Sequence, residues 1–160
     1  MIAPTRVAWC ERINSAAPFL FVSALAILGG GALAAAMAHA PSRKLMWAVA
    51  YLVLVVGATQ AVFGVGQALL ATRAVSLSVR VAEWATFNLG SAGVIGGTLW
   101  PSQPVLWMGT LLFVASLAVF LFATRGGQRG WAILAYRTLL VLIGGSALVG
   151  LILGTIRAAG

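Results

Sequence analysis

Acidic residues are almost absent from this chain. Its 160 residues include two Asp+Glu against ten Lys+Arg, and charged residues make up 8% of the sequence, whereas soluble domains carry about 25%. Hydrophobic residues make up 62%, and the mean hydropathy is +1.06. Such a composition is typical of a protein embedded in lipid and argues against a soluble domain.

The side chains that most catalytic and metal sites need are also scarce. With a single histidine, His39, this chain cannot form a bis-histidine haem site or a histidine-rich metal site. A Ser-His-Asp triad is also excluded, because it would need a carboxylate near that histidine. The single cysteine, Cys10, excludes an internal disulfide and a CxxC motif. We therefore expect no metal site, no cofactor and no catalytic residue, and an enzyme is the less favoured interpretation.

Long apolar stretches fill most of the sequence. Each has the roughly 20 residues that a helix needs to cross a hydrocarbon core, and together they cover about residues 17–38, 46–71, 79–100, 104–124 and 131–156. The connections between them are short. We predict an all-α integral membrane protein with one domain, residues 1–160, built as a bundle of five transmembrane helices. Residues 1–16 are predicted to form an interfacial segment before Pro18.

Basic residues lie singly at the predicted helix ends. The formal charge is +8, but a basic stripe is missing, so nucleic acid is not an expected partner. Six basic residues fall on the side of the amino terminus: Arg6, Arg12, Arg73, Arg80, Arg125 and Arg129. Three fall on the other side: Arg43, Lys44 and Arg157. The positive-inside rule then predicts a cytoplasmic amino terminus and an external carboxy terminus. The composition, rich in Ala, Gly, Val and Arg, is compatible with a multi-pass protein of a bacterial cell inner membrane.

Polar side chains inside the apolar stretches are the candidates for a ligand or ion pathway. They are Glu83, Arg137, Gln60, Gln67 and Asn88. Glu83 is the only carboxylate there, and an acid at a helix centre costs about 2.5 kcal/mol or more to insert. Arg137 lies at a matching predicted depth, so we expect it either to pair with Glu83 or to snorkel to the cytoplasmic surface.

Small residues repeat on two of the predicted helices. Gly90, Gly93 and Gly97 lie three and four residues apart on the third helix, and Ser146, Gly150 and Gly154 form a stripe on the fifth. Small residues let helix backbones approach closely in lipid. The stripes therefore predict either packing within the bundle or, for the fifth helix, contact with another subunit.

These observations favour a noncatalytic membrane protein, a subunit or assembly partner of a larger membrane complex. Its expected partners are the lipid bilayer and either a membrane protein or a second copy of the chain. One alternative is a small transporter or channel with a polar path around Glu83, Gln60, Gln67 and Asn88. A second is a membrane enzyme or electron-transfer subunit that binds a quinone or lipid near Phe63, Phe87 and Trp84, with ligands supplied by a partner.

Overall fold

The computed structural model describes residues 6–71, 75–125 and 130–159, and it describes side chains between residues 13 and 156 of these ranges. Every regular element in the described chain is helical, which confirms the prediction of an all-α protein. The helices are α1 (Arg6–Ala36), α2 (Arg43–Leu70), α3 (Leu77–Leu99), α4 (Gln103–Ala123) and α5 (Trp131–Ala159). Arg73 and Arg129, and the side chains of Arg6, Arg12 and Arg157, lie outside the described residues, so the basic-residue count stays a sequence argument.

Helix limits follow local capping signals. The Ser42 hydroxyl accepts a hydrogen bond from the backbone N–H of Leu45 at 3.3 Å and starts α2, and Ser76 does the same for the N–H of Val79 at 3.4 Å at the start of α3. The first N–H groups of a helix have no acceptor within the helix, and the serine oxygen at this position supplies one. The limits of α2 to α5 lie within three residues of the predicted ones.

The first helix differs from its predicted form. The predicted interfacial segment is continuous with the first apolar stretch, because α1 runs without a break from Arg6 to Ala36 with Pro18 inside it. Proline removes one backbone donor, but the rest of the hydrogen-bond ladder can continue around it, as it does in other membrane helices.

Four of the helices are long and apolar enough to cross a membrane: residues Ile13–Ala36, Arg43–Leu70, Gln103–Ala123 and Trp131–Ile156. Helix α3 is 23 residues long, which is sufficient length, but it carries the polar side chains of Arg80, Glu83 and Asn88. Length and composition therefore single out four spans rather than the predicted five.

Helix α2 contains a segment that its sequence did not predict. Residues Tyr51–Thr59 form a π-helix between α-helical segments Arg43–Ala50 and Gln60–Leu70. The Thr59 hydroxyl donates to the Leu54 carbonyl at 2.9 Å and so adds a side-chain bond to the widened turns. π-helical turns are frequent at functional sites, and this one leads directly into the polar face of α2.

Aromatic side chains from all five helices meet in one core cluster. It comprises Phe19, Phe63, Phe87, Phe113, Leu117, Phe120, Tyr136 and Leu140. The Phe63 ring lies at the centre, with centroids 6.4 Å from Phe87, 5.6 Å from Phe120 and 5.8 Å from Tyr136. Phe19 of α1 joins through Phe120, at 5.6 Å. Tilted and edge-on ring pairs at these separations are favourable beyond the area they bury.

Helices α3 and α4 form a tight hairpin held by glycine. A Cβ added to Gly93 would lie 2.7 Å from the Cα of Gly109, and one added to Gly109 would lie 2.5 Å from the backbone carbon of Gly93. A Cβ on Gly90 or Gly97 would likewise meet the backbone of α4, at Phe113 or Leu106. The backbones are thus in direct contact, the arrangement that small residues permit in lipid.

We expect Gly93→Ala and Gly109→Ala each to destabilise the protein by about 1–3 kcal/mol, since the added methyl group overlaps backbone that cannot move aside cheaply. Reversible unfolding in detergent measures the loss. Gly96→Ala is the matched control, because Gly96 lies on the same helix and a Cβ there meets no atom within 4 Å. Equal stability of all three variants would contradict the close crossing.

Candidate functional site

The polar site in the bundle interior lies between α2 and α3. Gln60, Phe63, Gly64 and Gln67 share the buried face of α2, because spacings of three and four residues follow the helical turn. On α3, Glu83, Phe87 and Ser91 are buried in the same way. The two helices run antiparallel, which brings the end of α2 beside the start of α3.

A hydrogen bond joins the two helices at this point. The Gln67 amide Nε2 donates to Glu83 Oε1 at 2.6 Å. The Glu83 side chain is 0% exposed and that of Gln67 is 4% exposed. The other carboxyl oxygen, Oε2, is buried and has no hydrogen-bond partner. The carboxyl is therefore held on one side and free to bind on the other.

Arg137 does not pair with Glu83. Its Nη2 donates to the backbone carbonyl of Thr124, the residue that ends α4. The last carbonyls of a helix lack partners within the helix, and a cationic side chain is a good donor to them. The predicted ion pair is therefore not formed: the arginine caps α4, and an uncharged amide contacts the acid instead.

Tyr136 connects α5 to the same region. Its hydroxyl donates to the carbonyl of Phe63 at 3.2 Å, and its ring lies against Gly66, where any side chain on α2 would overlap the ring. The tyrosine is thus a member of the aromatic cluster that packs on α2 beside Gly66, the residue before Gln67.

Gln60 and Ser91 are further buried polar residues along the interior. Both amide atoms of Gln60 are buried and have no hydrogen-bond partner, and the buried Ser91 hydroxyl lies beside the Tyr51 hydroxyl. Gln60 lies two turns from Gln67 on α2, and Ser91 lies two turns from Glu83 on α3. A buried polar group without a partner is costly and marks a place where a small polar species is favourable.

The remaining predicted site residues are not brought into this group. The Asn88 Nδ2 donates to the Trp84 carbonyl of its own helix at 2.7 Å rather than to another helix. Phe63 and Phe87 are fully buried against each other, whereas Trp84 is 36% exposed. These three aromatic residues therefore do not wall a common pocket. His39 lies in the exposed turn after α1.

A groove of about 580 Å³ opens farther along the bundle. Residues of four helices line it: Trp47, Tyr51, Val55, Val94, Thr98, Leu106, Thr110, Phe113, Ile143, Ser146, Ala147, Gly150, Leu151, Leu153 and Gly154. The predicted stripe of α5 forms one wall. Its glycines do not make a close crossing within the chain, because a Cβ on Gly150 or Gly154 meets no atom within 4 Å.

Several of the residues that shape these sites are not distinguished by the sequence. Ser91 of the polar interior and Tyr51, Thr98 and Thr110 of the groove carried no spacing signal that separated them from ordinary helix residues. The π-helical segment rotates the face of α2 on which Tyr51 and Val55 lie, so regular helical spacing could not place them.

The structure predicts coupling between Gln67 and Glu83 and none between Glu83 and Arg137. In a double-mutant cycle, Gln67→Leu and Glu83→Met should show a coupling free energy of about 1 kcal/mol, typical of a hydrogen bond between membrane helices. The effects of Glu83→Met and Arg137→Met should add within about 0.5 kcal/mol. Unfolding in detergent gives both values, and strong coupling to Arg137 would contradict the observed partners.

Comparison of this chain with protein-family models, with curated proteins and with solved structures found no match.

Proposed function

We propose that this chain is a noncatalytic multi-pass membrane protein whose α5 binds a transmembrane helix of a second polypeptide within a larger membrane complex. The observation that carries the proposal is the open space beside Gly150 and Gly154, which line the groove and contact nothing within 4 Å of a Cβ. In lipid, helices associate through small residues that permit close backbone approach. A small-residue stripe without a partner helix is therefore suited to accept one.

The use of glycine elsewhere in the chain supports this proposal. On α3, the glycines press directly on α4, whereas the α5 stripe places small residues at a similar helical spacing beside open space. Helix α5 is also the least buried of the four apolar helices. Ser146 donates its hydroxyl to the Ile143 carbonyl of α5 at 2.8 Å, so it presents a small and already satisfied surface to an incoming helix.

The chemistry of the interior supports a noncatalytic role. Glu83 and Arg137, the ionisable residues of the predicted site, bond to Gln67 and to the Thr124 carbonyl respectively. A general acid and a general base must both lie within reach of the same reacting atom, and these two side chains have different partners.

A small transporter or channel is the second candidate function. The buried polar atoms of Gln60 and Glu83 that lack a hydrogen-bond partner favour it, because such groups line ion and solute paths in membranes. The two candidates separate experimentally: transport requires flux through reconstituted vesicles that depends on Glu83, whereas the helix-binding role depends on α5.

We further propose five membrane spans in the cell inner membrane, with a cytoplasmic amino terminus and an external carboxy terminus. The exposure pattern of α3 supports its inclusion: Glu83 and Ser91 face inward, while Val81 and Leu89 are 54% and 64% exposed. Polar residues that face the bundle and apolar residues that face outward suit a helix in lipid. The orientation rests on the six-to-three distribution of basic residues.

Reporter fusions test this topology. A reporter after Gly160 should show the activity expected on the external side, and so should one inserted at Ser42 between α1 and α2. A reporter inserted at Ser76 between α2 and α3 should show cytoplasmic activity. Cytoplasmic activity after Gly160 would contradict either the orientation or the odd number of spans.

Leucine substitutions in the groove test the helix-binding role. Gly150→Leu and Gly154→Leu should leave the unfolding temperature in detergent close to that of the unmodified chain, because each leucine enters open space. Association should weaken by about tenfold, since overpacking at a helix contact costs about 1–3 kcal/mol. Gly145→Leu is the matched control, because Gly145 lies on α5 with no atom near its Cβ and outside the groove.

Association is measured by cross-linking in native membranes from a cysteine at Ser146, in a chain with Cys10→Ser. The mass of the adduct identifies the second polypeptide as a different protein or another copy of this chain. Equal cross-linking of all three leucine variants would contradict the proposal, and a large loss of thermal stability in the Gly150 variant would assign the stripe to internal packing.

A further inference from the structure

The buried carboxyl of Glu83 has too few partners for an ionised acid. An ionised carboxylate has two oxygens and about four positions at which it can accept a hydrogen bond. Here Oε1 accepts one bond, from Gln67, and Oε2 accepts none. The side chain is 0% exposed, so solvent does not supply the remaining donors.

The surroundings of Glu83 also lack a bonded cation. No Lys or Arg nitrogen lies within ion-pair distance of the carboxyl among the side chains that the structure describes. Arg80 lies one turn earlier on α3, near enough to favour a negative charge but without contact. From α2 the carboxyl faces the neutral amide of Gln67. From α5 it faces Tyr136, whose hydroxyl proton is donated to the Phe63 carbonyl, and the guanidinium of Arg137 is bonded to Thr124.

These contacts favour a neutral carboxyl over a carboxylate. Burying an ionised group without a matching charge and a full set of hydrogen bonds is far more costly than burying its neutral form. The neutral form needs fewer donors, because one oxygen carries a proton and becomes a donor itself. Gln67 then satisfies the acceptor oxygen, and the hydroxyl on Oε2 is a neutral group without a partner, which is less costly to bury than an unmatched negative charge.

We propose that Glu83 is a proton-binding site inside the helix bundle, with the bound proton on Oε2. Gln67 selects the oxygen: its N–H occupies Oε1, the carbonyl-like acceptor, and leaves Oε2 as the hydroxyl. The site holds one exchangeable proton between α2 and α3, on the side of the bundle away from the α5 groove. This proton-binding role goes beyond the proposed helix-binding function and does not depend on it.

The composition of the chain makes this site easy to test. Glu83 and Glu11 are the only side-chain carboxyls, so the infrared spectrum of the full-length protein in detergent at neutral pH contains few carboxyl signals. We expect the carbonyl stretch of a neutral carboxyl, shifted when the protein exchanges into deuterated water. The band should disappear in Glu83→Gln and remain in the control Glu11→Gln.

A second measurement needs no variant. A hydrophobic carbodiimide reacts with protonated carboxyls in apolar surroundings, and mass spectrometry of the labelled protein locates the adduct. We expect the label on the peptide that contains Glu83 and not on the peptide that contains Glu11. An absent neutral-carboxyl band, together with an unlabelled Glu83, would overturn the proposal and leave Glu83 as a carboxylate balanced by Arg80.

The fold of the variant separates this outcome from misfolding. Glutamine has the shape of the protonated acid and can accept the same bond from Gln67, so Glu83→Gln should unfold at nearly the same temperature as the unmodified chain. A marked loss of stability in Glu83→Gln would mean that the negative charge itself is needed, which contradicts the neutral form.

Discussion

The packing of Phe63 against Phe87, Phe120 and Tyr136 is the contact on which the arrangement of the helices depends. These four rings come from α2, α3, α4 and α5, and Phe19 of α1 joins them through Phe120. Lipid tails are as apolar as the side chains that they solvate, so the hydrophobic effect gives the helices little reason to associate. Close ring packing and dispersion attraction therefore have to hold the bundle together, and one cluster contains side chains from all five helices.

Glycine has two distinct roles in this chain, and its surroundings separate them. On α3, glycines remove side chains from a surface that α4 occupies, so that Gly93 and Gly109 bring the two backbones together. On α5, Gly150 and Gly154 remove side chains from the wall of a groove that the chain leaves open. The first use brings two helices of the fold together, and the second leaves an open surface on α5. This contrast is the basis of the proposed membership in a larger complex.

The polar interior follows from the position of the aromatic cluster. Phe63 and Phe87 fill the centre of the α2–α3 contact, so the polar residues on either side of them are separated. Gln67 and Glu83 meet on one side, where their side chains are close enough for a direct hydrogen bond. On the other side, Gln60 has no partner and Ser91 lies beside the Tyr51 hydroxyl. An acid bonded to an amide rather than to an arginine is the feature that supports proton binding at Glu83.

The helical class, the number of long helices and most of their limits were predictable from the sequence, because apolar length, prolines and capping serines act locally. Glu83 and Gln67 were also predictable as site residues, since polar residues are rare in apolar stretches. Their partners depend on how the helices pack. The matching predicted membrane depth of Glu83 and Arg137 suggested that they pair. Side-chain pairing also depends on how helices rotate and cross, and Arg137 instead donates to the carbonyl of Thr124 at the end of α4. The same limit applies to small-residue stripes: α3 and α5 both carry small residues at helical spacing, and only the position of the neighbouring helix makes one a crossing and the other an open groove.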